Sequence, residues 1–345
     1  MRRKLTGLVI AVVAGLIVLS ASAYSRFVRL SHATSPASAA LMRGRGVRVA
    51  EPDRSPASPD DQSVVDAFFE AASSYWNDIY RRDDVISLIV QQRSEIALSW
   101  VGQLGLPPGS AVLEVGCGAG RTAVALARRG FRVYATDSVE AMIDLARTRA
   151  AEAGVSELVE VRKSDVHALD FEDETFDLVI ALGVIPWLLS PSQALHEMAR
   201  VLKPGGALIA SVNNGTRLQY LFDPLLTPHL RGARSGVKKM LGTHWRSPSS
   251  GPHFNLHSCE EFEGLLASAS LTKQEGRTFG FGPFTFLGRR ILPERVAVGL
   301  HNWLQTLADR GSGGVASRGA QYLVVARKEH ARIRAAKCVR GQKAS

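Results

Sequence analysis

Residues 111–120 read Ala-Val-Leu-Glu-Val-Gly-Cys-Gly-Ala-Gly, an apolar strand that runs straight into glycines at 116, 118 and 120 and then into a helical segment. Glycines at the end of a strand let the backbone turn tightly, with no Cβ to hold a ligand away from the main chain. The stretch therefore predicts a parallel sheet with a nucleoside-type ligand at its carboxyl edge. A pyrophosphate-binding loop would place its third glycine at 121, where this chain has Arg121. Glu114, inside the strand end, would repel a pyrophosphate but suits a ligand that carries an ammonium and a sulfonium. Taken alone, the glycine triplet also fits an ordinary tight turn between strand and helix.

The segments that follow repeat the pattern. Phe131 to Asp137 reads as a second strand ending in an acid, where a carboxylate can accept both hydroxyls of a ribose or open the next helix. A third apolar run precedes Arg162-Lys-Ser-Asp165-Val166; Asp165 can accept from an adenine amino group while Val166 packs on the ring, or Asp165 is a plain turn residue. A fourth strand, Phe176 to Ala181, leads into Leu182-Gly-Val-Ile-Pro-Trp187, then a helix, a turn at Lys203-Pro-Gly-Gly206 and the strand Ala207 to Val212. The order and spacing of the acids, each at the end of a successive strand, carry more than any one of them.

At this point the chain resembles the class I S-adenosylmethionine (SAM)-dependent methyltransferases, especially the small-molecule group that includes the ubiquinone and menaquinone C-methyltransferases. The matching stretches are Leu113 to Gly120, the Asp137 strand end, Ser164-Asp165, Phe176 to Val179 and Arg200 to Gly206, and the match covers about 110–213. The resemblance implies an α/β, Rossmann-like fold with a mostly parallel seven-stranded sheet and helices on both faces. It also implies SAM as cofactor, contacted by Glu114, Gly116, Cys117, Gly118, Gly120, Asp137, Ser138, Met142, Asp165, Val166 and Leu182, with no metal. Cys117 reads as a small filler and not as a nucleophile. Two rivals remain on the residues alone: an NAD-dependent oxidoreductase, disfavoured by Arg121 and Glu114, and a membrane-tethered SAM-binding or scaffold protein without turnover.

The net charge of +10 suggests nucleic acid until it is located. Residues 1–50 hold eight Lys or Arg and no acid, and residues 326–345 hold seven against Glu329, which leaves residues 51–325 at −4. A nucleic-acid enzyme carries its positive footprint on the folded domain, so no nucleic-acid partner is expected. Cys117, Cys259 and Cys338 show no metal or disulfide spacing, as in a reduced, intracellular chain.

Four regions are predicted: an N-terminal hydrophobic segment over 1–30, a flexible linker over 31–62, the catalytic domain over 63–328 and a basic tail over 329–345. Leu5 to Tyr24 is uncharged, long enough to span a bilayer, and preceded by Arg2, Arg3 and Lys4. An uncleaved anchor that leaves the catalytic part in the cytoplasm fits a cytosolic cofactor best. A start at Met42, giving a soluble chain, and export after Ala21-Ser22-Ala23 are the alternatives.

From Val64 a stripe of Val65, Phe68, Phe69, Ala72, Trp76, Ile79 and Tyr80 predicts a helix, and a second runs from about Asp84 to Leu104. The resemblance places the first over the cofactor, with Tyr75 or Tyr80 in contact. Helices follow at 119–129, 139–152 and 191–202, with strands at 111–115, 131–136, 157–162, 176–181 and 207–213. Ser258 and Glu261 form a capping box for a helix to about Ser268, and Leu271–Phe279 and Ala320–Ala326 close the sheet as an antiparallel pair.

Two insertions, 213–257 and 280–319, are longer than ordinary connections and sit where substrate recognition usually lives. The first is basic and apolar by turns, as in a substrate lid, a segment lying on anionic lipid, or a solvated helix face. Methyl transfer is an in-line displacement, in which the enzyme aligns the acceptor and excludes water. A base helps an oxygen or phenol-activated carbon acceptor, and His253 and His257 are the candidates nearest the expected site, ahead of His229 and His244. Ile185, Pro186, Trp187 and Leu188 after the fourth strand point to an apolar acceptor of lipid or quinone type, although core packing explains some of them equally well.

Overall fold

The computed structural model describes residues 61–223, 226, 254–286, 289–312 and 314–329. The hydrophobic segment Leu5–Tyr24, the linker up to residue 60, His229, His244, His253 and the tail from residue 330 lie outside them. Among the described residues no helix is long and apolar enough to cross a membrane.

The amino-terminal stripe is not one helix. It forms α1 (Asp61–Ala71), α2 (Ser73–Asp78) and a 3-10 turn over Ile79–Arg81. α1 also begins two residues inside the stretch read as linker, where Gln62 donates to Asp66 at 3.3 Å one turn on. α3 (Val85–Gln103) starts where Asp84 accepts the backbone N–H groups of Ile86 and Ser87, both at 3.1 Å, satisfying donors that a helix start leaves free.

The alternating core then builds one sheet. Its strands are β1 (Ala111–Val115), β2 (Arg132–Asp137), β3 (Val159–Lys163), β4 (Phe176–Ala181), β5 (Leu202–Asn213), β6 (Leu271–Phe279) and β9 (Gln321–Lys328). The order is β3-β2-β1-β4-β5-β9-β6, with the first five parallel and the β5–β9 and β9–β6 pairs antiparallel. Central β1 and β4 are buried nearly throughout, as expected of strands covered on both faces. Edge strand β3 carries exposed Glu160 and Lys163 and edge strand β6 carries exposed Lys273 and Glu275, charges that discourage pairing with another chain.

The helices α4 (Arg121–Ala127), α5 (Glu140–Glu152), α6 (Pro191–Val201) and α7 (Cys259–Ser268) flank the sheet. α4 is shorter than the 119–129 reading because residues 116–120 all belong to the loop. Ser190 caps α6 ahead of Pro191, and the Ser258–Glu261 capping box on α7 is complete. Two apolar clusters fill the two faces: one around Trp100, Leu126 and Ile180, the other around Phe176, Met198 and Phe262.

Two readings need correcting. Lys203 to Gly206 is a bulge within β5 and not a free turn: Phe176 pairs with Leu202, and pairing resumes at Leu178 with Ala207. Asp177 anchors it by accepting Lys203 Nζ at 2.7 Å and the Ala111 N–H at 2.9 Å. The 280–319 insertion is not a simple loop. It holds a short hairpin, β7 (Thr285–Phe286) and β8 (Arg289–Arg290), and the helix α8 (Glu294–Asp309). α8 docks on α3 through Glu294 Oε1, which accepts the Val85 N–H at 2.8 Å.

Candidate active site

The carboxyl ends of β1 to β5 open into a cavity of about 680 Å³, roofed by α1, α2 and α3 and closed on the far side by Pro283, Ala320 and Gln321. That is the size of pockets that enclose drug-sized ligands. Of the residues expected to touch the cofactor, Glu114, Gly116, Cys117, Gly118, Asp137, Ser138, Met142, Asp165, Val166 and Leu182 all line it. Gly120 does not line it.

Gly116 and Gly120 are glycines for different reasons. Both have positive φ, 62° and 74°. A Cβ on Gly116 would lie 2.3 Å from Val184 Cγ2, so its absence lets the β1 loop meet the β4 loop at the cavity floor. A Cβ on Gly120 would lie 2.8 Å from the Cα of Ala146, so its absence lets α4 pack on α5.

Glu114 is buried, and its carboxylate reaches Thr122 and the Ala123 N–H at the start of α4. Oε2 has no hydrogen-bond partner among the described residues. Burial is the main cause that pushes its pKa up to about 8. An unpartnered buried carboxyl facing a cavity fits a ligand cation. Asp137 is spent partly on the protein: Oδ2 accepts the Gly118 N–H at 2.8 Å and Oδ1 the Val139 N–H at 3.0 Å. Burial raises its pKa above the usual carboxylate value, against the pull of these donors. Each oxygen keeps acceptor capacity toward the cavity. Asp165 is mostly exposed, and its Oδ1 holds the His167 ring at 2.8 Å, while the neighbouring Ser164 hydroxyl is buried without a partner among the described residues. Burial of Cys117 pushes its thiol well up, which keeps it protonated.

The roof supplies residues that the sequence reading missed. Arg93 of α3 lies against Gly183, its Nη1 2.3 Å from where a Cβ would stand, and its Nε is buried without a partner among the described residues. A signal existed: Arg93 interrupts the apolar stripe of Ile86, Ile89, Val90, Ala97 and Trp100 at helical spacing. Arg121 stacks 4.6 Å over the Tyr80 ring, and both line the cavity together with Trp76, whose Nε1 is unpartnered among the described residues. Tyr80 lines the cavity and Tyr75 does not. Glu114 and Arg93, an acid and a cation that both have orphaned polar atoms, suit the ammonium and carboxylate of an amino acid; Asp137 and Ser164 suit the hydroxyls and base edge of a nucleoside.

After β4, the residues Leu182, Gly183, Val184, Pro186, Trp187 and Leu188 form the cavity wall, whereas Ile185 turns into the core and is fully buried there. Trp187 stacks on Phe68 at 6.0 Å and meets Phe69 at 5.2 Å and Phe254 at 5.8 Å. Asn255 ties this wall down by donating its side-chain amide to the Leu188 carbonyl at 2.6 Å. His257 is half-buried against Phe262 and does not line the cavity, and no histidine among the described residues does.

Fold and cavity together are those of a Rossmann-like protein built to take a nucleoside-type ligand at the carboxyl edge of its sheet. Residues 113–210 match the family model described as a methyltransferase domain. The ubiquinone biosynthesis O-methyltransferase of Hahella chejuensis is 30% identical over 227 residues, which span 65% of this chain and 86% of that protein. The enzyme of the same name from Alkalilimnicola ehrlichii is 36% identical over 166 residues, 48% of this chain and 65% of that one. Among solved structures, the magnesium protoporphyrin IX methyltransferase of Synechocystis PCC 6803 with bound S-adenosylhomocysteine (SAH) superposes with a TM-score of 0.54 at 18% identity. That superposition covers 78% of this chain and 100% of the other. The [4+2]-cyclase SpnF superposes at 0.51 and 18% identity, covering 81% and 99%. The chain belongs to the class I SAM-dependent methyltransferases, and it is an enzyme that uses SAM to transfer methyl groups.

Proposed function

We propose that this methyltransferase acts on an apolar small molecule of quinone or lipid type, at an oxygen, and that the expected cofactor contacts are the real ones apart from Gly120, which serves packing. The cavity wall of Val184, Pro186, Trp187 and Leu188, backed by Phe68, Phe69 and Phe254, carries this reading. It offers the acceptor an apolar surface and shields the reacting centre from water. SAM, when bound, supplies a methyl already activated on a sulfonium. Glu114 and Arg93 would hold its amino-acid end, Asp137 its ribose, and Ser164 and Val166 its base. The relatives named as O-methyltransferases support oxygen as the acceptor atom. Leu5–Tyr24 would tether the enzyme to the cytoplasmic face of a membrane, where such acceptors reside.

The test is a series of 4-alkylcatechols of increasing tail length, assayed for methyl transfer from labelled SAM. The specificity constant kcat/KM should climb with tail length, at most about fourfold per methylene, which corresponds to about 0.8 kcal/mol. A flat or falling profile would remove the apolar assignment.

A further inference from the structure

The cavity has two halves. The glycine loop and the ends of β2 and β3 make the half that suits the nucleoside, and Arg93 sits one strand over, against Gly183 after β4. The other half lies past β5. Asn213 ends β5 and pairs directly across from Gln321, which opens β9, and both line the cavity. These strands are one and two spacings from β4, roughly 5 and 10 Å beyond the place assigned to the cofactor's carboxylate, so a ligand group there is distinct from the amino-acid end of the cofactor.

Into this far half comes Arg217. The chain after β5 is folded back by Asn214, which is fully buried and donates its side-chain amide to the carbonyls of Ser317 at 3.0 Å and Gly319 at 2.8 Å. The Leu218 N–H donates to the Arg318 carbonyl at 2.8 Å, which sets Arg217 beside the start of β9. Its guanidinium lies 4.4 Å over the Tyr220 ring and donates Nη2 to the Tyr220 hydroxyl. Tyr220 is thus a positioning residue that fixes the plane of the cation. Among the described residues Arg217 Nε is buried with no partner and no carboxylate pairs with Arg217. A half-buried guanidinium held rigid and short of acceptors is costly unless a ligand supplies the anion.

We propose that Arg217, with Asn213 and Gln321, forms a subsite for a carboxylate on the methyl acceptor, so that the substrate is an apolar body bearing one carboxylate. This deepens the apolar-acceptor reading above and rests on it. A single guanidinium fork matches a two-oxygen monoanion. The two amides each offer a donor to the remaining lone pairs.

The experiment is calorimetric titration of the full chain, saturated with SAH, using benzoate, benzamide, 4-hexylbenzoate and 4-hexylbenzamide as probes. 4-Hexylbenzoate should bind about tenfold or more tighter than 4-hexylbenzamide, the scale of a charge-assisted pair. In Arg217→Gln the ratio should fall below about twofold with SAH affinity unchanged, and Arg217→Lys should keep part of it. Equal binding of acid and amide to the wild type, or a preference that survives in Arg217→Gln, overturns the subsite. The hexyl group reads the apolar assignment separately: a carboxylate preference without any gain from the tail sinks that assignment alone. Binding of none of the four by a chain that holds SAH sinks both.

Discussion

Asp137 accepts the backbone N–H of Gly118 at 2.8 Å, so the acid that ends β2 also holds the glycine loop of β1 in shape. In the proposed pose the cofactor's ribose and the loop beneath it would both depend on one carboxylate, which the Val139 N–H keeps in place at 3.0 Å. Replacing Asp137 by Ala should weaken SAH binding by about 1.5–3 kcal/mol, the worth of hydrogen bonds to a charged group. It should also lower the melting temperature, because the Gly118 N–H loses its acceptor. Calorimetry and thermal unfolding check both; unchanged affinity in a folded variant would remove the ribose assignment.

Glu114 makes stability depend on pH in an unusual direction. Burial raises its folded pKa to about 8 from a normal 4.5, so between those values the folded chain holds a proton that the unfolded chain has lost. Stability contributed at this site is therefore full below about 4.5 and falls as pH rises toward 8. In the ligand-free protein, Glu114→Gln should unfold at a higher temperature than wild type at pH 8, and the gap should close near pH 5. Cation binding favours the carboxylate, so SAH affinity of the wild type should rise from pH 6 to 7.5, by at most about tenfold per unit. The Gln variant should show a flat profile; parallel profiles would detach Glu114 from the ligand.

Much of this was legible in the chain because it obeys local rules. The strand Ala111–Val115, the acids at 114 and 137, the Ser190–Pro191 helix start and the Ser258–Glu261 capping box depend on neighbours a few residues away, and each stands where the pattern put it. The features missed depend on distant partners. Arg93 is defined by the loop at Gly183, and Gly120 by Ala146 on another helix. The break between α1 and α2 at Ala72 interrupts an apolar stripe that reads as continuous. The 16-residue helix α8 was hidden in an insertion because its docking on Val85 through Glu294 spans 209 positions.

Gly120 and Gly116 should separate packing from binding. Gly120→Ala places a Cβ 2.8 Å from the Ala146 Cα, where backbone has to move, at a φ of 74° that disfavours any side chain. A loss of roughly 1–3 kcal/mol of stability is expected, the usual cost of overpacking, with SAH affinity per folded molecule little changed. Gly116→Ala meets the Val184 side chain at 2.3 Å on the cavity floor, so it should weaken SAH binding as well. Chemical denaturation with SAH titration of each variant tests the division, and equal binding losses in both would refute it.

Arg93 offers the sharpest test of how the cofactor is oriented. Its guanidinium rests against Gly183, and Gly183 is held in turn by donating its N–H to the Ser211 hydroxyl at 2.8 Å. If Arg93 takes the cofactor's carboxylate, Arg93→Met keeps the apolar stem packed on α3 and removes only the charge. SAH affinity should fall about tenfold or more, whereas 5′-methylthioadenosine, which lacks the amino-acid end, should bind wild type and variant equally. A variant that lost both ligands to the same degree would show that Arg93 supports the cavity as a whole, and an unaffected SAH affinity would leave the carboxylate to another residue.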